Sequence, residues 1–262
     1  MKTNHQKWSR LITGIIFFIF LGFFAFYTQK ITRENNLSPS ASSNKPPDQA
    51  NLSDRLAKTA ETVVTVNKPA ETNKPVILPE NFSIRVPFTS QAPFALWDAL
   101  HEDACEEASL LMVKHFKESS LIGNKQTAED EITSLISWEE QHGYGTSITL
   151  EQLAEIARIK FNLTGTIETA TVETIMIEIA GGHPVIVGAA GKVLPNPNFR
   201  NGGPNYHMLV IKGYTSASFI TNDPGTRLGE NFVYSYNDLL YAIHDWNSDN
   251  ILNGAKKYLV FR

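Results

Sequence analysis

The chain has 262 residues, seven histidines, one cysteine and a formal net charge of −4 at pH 7, enough for one or two domains. A lone cysteine excludes an internal disulfide framework, so a folded domain here must be held by its core. From Ser83 onward thirteen basic side chains stand against twenty-one acidic ones, a balance of −8, which argues against DNA or RNA as partners because a nucleic-acid binder carries a basic patch.

Lys2, Lys7 and Arg10 lead into residues 11–27, an uncharged apolar run broken by Thr13. Its 17 residues reach the short end of the length needed to span a bilayer, with Trp8, Tyr27 and Lys30 as interfacial anchors. Phe24-Ala25-Phe26-Tyr27 offers no small-x-small cleavage site, so the run is expected to be a transmembrane signal anchor rather than a cleaved signal peptide. The basic excess ahead of it puts residues 1–10 in the cytoplasm and the remainder outside, a single-pass protein of the cell membrane with its domain extracytoplasmic. Residues 28–82 contain Ser38-Pro39-Ser40-Ala41-Ser42-Ser43 and have no aromatic side chain between Tyr27 and Phe82. Such a stretch buries too little apolar surface to offset its ordering entropy and is expected to be a disordered linker, with at most a short helix over residues 53–66.

The domain expected over residues 83–262 begins with a strand at residues 83–88, which Pro87 confines to an edge. Asp103-x-x-Glu106 reads as a capping box for a helix that carries Cys105 in its first turn, with Cys105, Ala108, Met112 and Phe116 on one face. Two or three further helices follow: residues 128–141 behind Thr127-x-x-Asp130, residues 150–160 behind Thr149-x-x-Gln152, and residues 172–180 ended by Gly181-Gly182. From His183 the periodicity becomes that of strands, at residues 184–188, 206–213, 218–221, 230–234 and 257–261, with a helix capped by Ser235 inserted before the last. Helices first and mostly antiparallel strands after them predict an α+β fold.

The unpaired N–H groups and positive dipole end of a helix start favour a thiolate, so Cys105 is a candidate nucleophile, although a small buried side chain fits the same position. A thiol attacking a carbonyl needs a base, a group to orient the base, and oxyanion donors. His207 opens an apolar strand, Asp223 ends the next one sixteen residues later, and Gln91 precedes the cysteine helix. His183 is the rival base, Asp223 before Pro224-Gly225 fits an ordinary turn, and Gln91 fits a surface loop. Glu106 beside the cysteine would raise the thiol pKa unless the cap turns it away. His101, Asp103 and Cys105 lie close together, but neither Cys-x-x-Cys nor His-Glu-x-x-His occurs, so no metal and no other cofactor is expected.

Taken in order, Val86-Pro87-Phe88 with Gln91, Ala104-Cys105-Glu106-Glu107-Ala108-Ser109, Gly182-His183-Pro184-Val185, Tyr206-His207-Met208-Leu209-Val210 and Thr221-Asn222-Asp223-Pro224 resemble the peptidase C39-like family of the papain-like cysteine peptidase group. The resemblance implies a papain-like α+β fold, Cys105 as nucleophile, His207 as general base and acid, Asp223 as the orienting residue and Gln91 as oxyanion donor. Two positions depart from the pattern. Gln91 stands fourteen residues before Cys105, a longer gap than is common, and Glu106 replaces a frequent glycine.

The expected function is a membrane-anchored extracytoplasmic cysteine peptidase that acts on a peptide or protein through an acyl-enzyme. A cysteine amidase or endopeptidase acting on cell-wall peptide, and a non-catalytic peptide-binding module, are the alternatives.

Overall fold

The computed structural model describes residues 77–262. The expected membrane segment at residues 11–27, the helix at 53–66 and the linker as far as residue 76 lie outside the described residues. Among the described residues no helix is long and apolar enough to cross a membrane.

A seven-stranded, wholly antiparallel sheet forms the centre: β1 (Phe82–Ser83), β2 (Thr166–Thr169), β3 (Val185–Ala190), β4 (Tyr206–Tyr214), β5 (Ser218–Asn222), β6 (Glu230–Ser235) and β7 (Lys257–Val260). Its spatial order is β2-β7-β3-β4-β5-β6, with β1 added to the end of β4. Antiparallel sheets commonly show alternating apolar and polar residues. Here β3 and β4 are buried at every position, because helices cover both faces.

On one face lie α1 (Ala99–Glu102), α2 (Cys105–Lys117), α3 (Lys125–Gln141) and α4 (Leu150–Phe161). Leu110, Met112, Ile132, Leu135, Leu153 and Ile156 from this layer pack against Met208 and Val210. On the other, α5 (Val172–Ala180) and α6 (Tyr236–Ala242) bring Ile175, Ile179 and Leu239 onto Leu209 and Ile211. The alternation of β4 therefore feeds two cores. Burial of that much apolar surface holds the domain without a disulfide.

Local signals explain most of the element ends. Thr149 and Gln152 form the expected capping box on α4, Thr171 caps α5, Gly181 closes it, and Ser235 caps α6. Three expectations are corrected. Of the strand expected at residues 83–88 only Ser83 lies in β1, which starts one residue earlier at Phe82, because Pro87 cannot donate and Val86 N–H turns back to Ile84 O. Asn124, not Thr127, caps α3, adding a turn at its start. Asp103 does not cap α2. It ends the short helix α1, whose own cap is Asp98, and the residue before Cys105 is Ala104, which makes no side-chain cap bond.

Candidate active site

Three chain segments converge where β4 and β5 part. The ladder pairs Ile211 with Thr221 and Val210 with Asn222 and then stops, which leaves Asp223, the residue after β5, diagonal to His207. The segment before α1 fills the gap. Asn222 Nδ2 donates to Val86 O and Pro87 O at 3.1 and 3.2 Å, and Gln91 N–H donates to Pro224 O at 3.0 Å. With β5 gone, Met208 N–H donates instead to Cys105 Sγ at 3.3 Å. The start of α2 is thereby tied to the residue next to His207.

His207 and Asp223 are fully buried. His207 Nε2 lies 2.8 Å from Asp223 Oδ1, and His207 Nδ1 has no hydrogen-bond partner among the described residues. In the neutral imidazole with its proton on Nε2, that N–H donates to the carboxylate and Nδ1 carries the lone pair. Asp223 Oδ1 also accepts from Gly225 N–H at 2.9 Å, and Oδ2 accepts from Tyr234 OH at 2.5 Å and Asn196 Nδ2 at 3.1 Å. Burial pushes the Asp223 carboxyl up, but His207, Tyr234 and the Gly225 amide outweigh it and hold the group below its ordinary value.

The long loop ahead of β4 covers this pair. Phe199 stands edge-on to the His207 ring, with centroids 5.3 Å apart. A Cβ on Gly225 would lie 2.9 Å from both His207 Cε1 and Phe199 Cε1, so only glycine lets the turn after Asp223 pass so close. Farther along, the Arg200 guanidinium lies over the Trp97 ring, 6.0 Å from its centroid, and 3.7 Å from Glu102. Beneath that bridge is a cleft of about 380 Å³ lined by Gln91, Trp97, Asp103, Tyr206 and Gly225; Asp103, Tyr206 and Gly225 lie within two residues of Cys105, His207 and Asp223, which do not themselves line it.

Cys105 is 3% exposed. Its thiol donates to Glu106 Oε2 at 2.8 Å. Glu106 is therefore not drawn away by a cap: it lies against the sulfur. Burial pushes the Cys105 thiol well up, the Glu106 charge and hydrogen bond add to this, and Met208 N–H pulls the other way. Burial, with the Glu107 charge, also drives the Glu106 carboxyl well above the carboxylate range.

Gln91 is buried, but both N–H bonds of its amide are occupied by α1 carbonyls, His101 O at 2.8 Å and Glu102 O at 3.1 Å. The residues between Gln91 and Cys105 form a turn through Ala95 (φ +60°) and then α1, which the Gln91 side chain anchors. His183 is remote: it precedes β3 at the end opposite the Ala189–His207 pair and bonds to Glu178. Asn196, Phe199 and Tyr234 were not singled out in the sequence. Asn196 looked like any loop residue in a Gly- and Pro-rich stretch, and Tyr234 like any strand aromatic.

The family model described as the Peptidase_C39 like family matches residues 83–250. Among solved structures, a protein from Bacillus anthracis described as a C39-like peptidase aligns with a TM-score of 0.47 and 15% identity over 70% of this chain and 98% of its own. Xylellain, a cysteine protease from Xylella fastidiosa, aligns with a TM-score of 0.29 and 16% identity over 71% of this chain and 86% of its own. No curated protein sequence matches. The matched region takes in the Cys105 helix, the His207 strand and the Asp223 turn, and the chain belongs to the Peptidase_C39 like family.

Proposed function

We propose that the domain is a cysteine peptidase in which Cys105 attacks a peptide carbonyl with His207 as its base. The observation that carries this reading is the tether from Met208 N–H to Cys105 Sγ beside a His207 whose Nε2 is engaged by Asp223 and whose Nδ1 has no hydrogen-bond partner among the described residues. The thiol turns from Glu106 toward Nδ1 and gives it the proton as the S–C bond forms. The oxyanion meets the Cys105 backbone N–H, which as the first residue of α2 has no partner within the helix. Nδ1–H then protonates the leaving amine, the C–N bond breaks, and a thioester remains on Cys105. Water, deprotonated by His207, attacks the thioester and releases the acid and the thiol.

Glu106 acts on the thiol in either ionisation state. As an anion it opposes the thiolate, and as a buried neutral acid it removes that opposition and donates a hydrogen bond to sulfur. The apolar run at residues 11–27 supports a domain held at the outer face of a membrane, acting on peptides or cell-wall peptides there. To test the reading, the domain and its Cys105→Ala and His207→Ala forms are incubated with a peptide library and products read by mass spectrometry. Products that vanish in both variants support it, whereas identical products from all three proteins overturn it.

A further inference from the structure

Behind the cleft, a second pocket of about 290 Å³ opens between α1, α3 and the turn before α4. It shares Asp103 with the cleft, and its Thr146 adjoins Ser147 of the cleft wall. Leu100, Ile136 and Tyr144 form apolar walls, and Glu107 and Glu139 lie at its buried floor. Both glutamates are at least nine-tenths buried, and Glu107 Oε2 and Glu139 Oε1 have no hydrogen-bond partner among the described residues.

Elsewhere α3 satisfies its carboxylates with imidazole partners. Glu129 meets His101 at 2.9 Å and Glu131 meets His115 at 2.7 Å. Among the described residues Glu107 and Glu139 meet no such imidazole. The other charged neighbours, Asp103, Glu106 and Glu140, carry the same sign. Burial pushes Glu107 well up, and burial pushes Glu139 up to about 7, so the two carboxyls hold a proton in place of the missing partner. No group of three or more His, Cys, Asp or Glu among the described residues is arranged to hold a metal ion. An apolar channel that ends in two carboxyls sharing a proton, each with one oxygen left unpartnered, complements a long aliphatic chain with a cationic head.

We propose that this pocket is a specificity subsite for a lysine- or arginine-type side chain of the substrate, with its stem against Leu100, Ile136 and Tyr144 and its head on Glu107 and Glu139. The word substrate rests on the peptidase reading, whereas cation binding by the pocket does not. The test therefore uses the Cys105→Ala chain, which binds without turnover. Capped alanine pentapeptides carrying lysine at each position in turn, and the same set with norleucine, are titrated calorimetrically at pH 7. The expected result is that at least one lysine peptide binds about tenfold or more tighter than its norleucine counterpart, and that Glu107→Gln with Glu139→Gln abolishes the difference. Equal affinity, no binding by either set, or a preference that survives the double substitution overturns the subsite. The lysine comparison itself requires no change to the floor. A lysine preference in binding with no Cys105-dependent cleavage by the unmodified chain refutes the peptidase and leaves the pocket. Cys105-dependent cleavage with no lysine preference does the reverse.

Discussion

The hydroxyl of Tyr234 donates to Asp223 Oδ2 at 2.5 Å, on the far side of the carboxylate from His207. Asp223 is thus gripped from both ends, with Asn196 Nδ2 bridging to the same oxygen and to the Tyr234 hydroxyl. Tyr234→Phe removes one donor to a buried charge, an interaction worth about 1.5–3 kcal/mol. Because Tyr234 is among the groups that hold Asp223 below its ordinary pKa, the substitution raises that pKa. A depressed carboxylate stabilises the fold above its unfolded pKa, and that stability is lost as the pH falls through the folded value. Urea denaturation at pH 7 should show the loss, and the acid limb of the kcat/KM profile should move to higher pH.

Glu106 supplies a second measurable asymmetry. Its charge and hydrogen bond follow burial among the causes that push the Cys105 thiol up. Glu106→Gln keeps the shape and removes the charge, so the thiol pKa should fall. Alkylation of Cys105 followed across pH should show its midpoint displaced to lower pH in the variant, and an unchanged or higher midpoint would contradict the contact.

The buried acids under α1 make stability depend on pH in the opposite sense to Asp223. Glu139 holds its proton to about pH 7 in the fold, against an ordinary 4.5. The folded chain therefore binds more protons across that window, and its stability falls as the pH rises from about 4.5 to 7. The loss is on the order of 3 kcal/mol for one such group. Urea midpoints should be lower at pH 8 than at pH 5, and Glu139→Gln should flatten the difference.

Gln91 separates a structural from a catalytic role. Its amide is bonded to His101 O and Glu102 O, so Gln91→Ala should destabilise the domain by about 1–3 kcal/mol. Loss of an oxyanion donor costs about 10²–10³ in kcat. The geometry predicts a much smaller effect on kcat for the protein that remains folded.

The order and type of the main elements were legible because their punctuation is local: Thr149-x-x-Gln152, Gly181 after α5 and Ser235 before α6 all act within one turn of chain. The nearness of His207 and Asp223 was legible too, since one lies near the start of β4 and the other just past the end of its antiparallel neighbour β5. What escaped depends on contacts distant in sequence. Asp98, not Asp103, provides the cap because α1 ends before Cys105. Glu106 looked like a helix-start carboxylate, and only the packing of Leu150, Met208 and Tyr206 around α2 shows it buried against sulfur. Asn196 and Tyr234 meet Asp223 across 27 and 11 residues, a convergence that neither periodicity nor capping encodes.

The pairing of Cys105 with His207 is tested most directly without any substrate, by the rate at which iodoacetamide alkylates Cys105 near pH 6 in the unmodified chain and in His207→Ala. An imidazole that takes the thiol proton makes the unmodified chain faster, by about tenfold or more for a difference of one pKa unit. Equal rates in the two proteins would contradict the account.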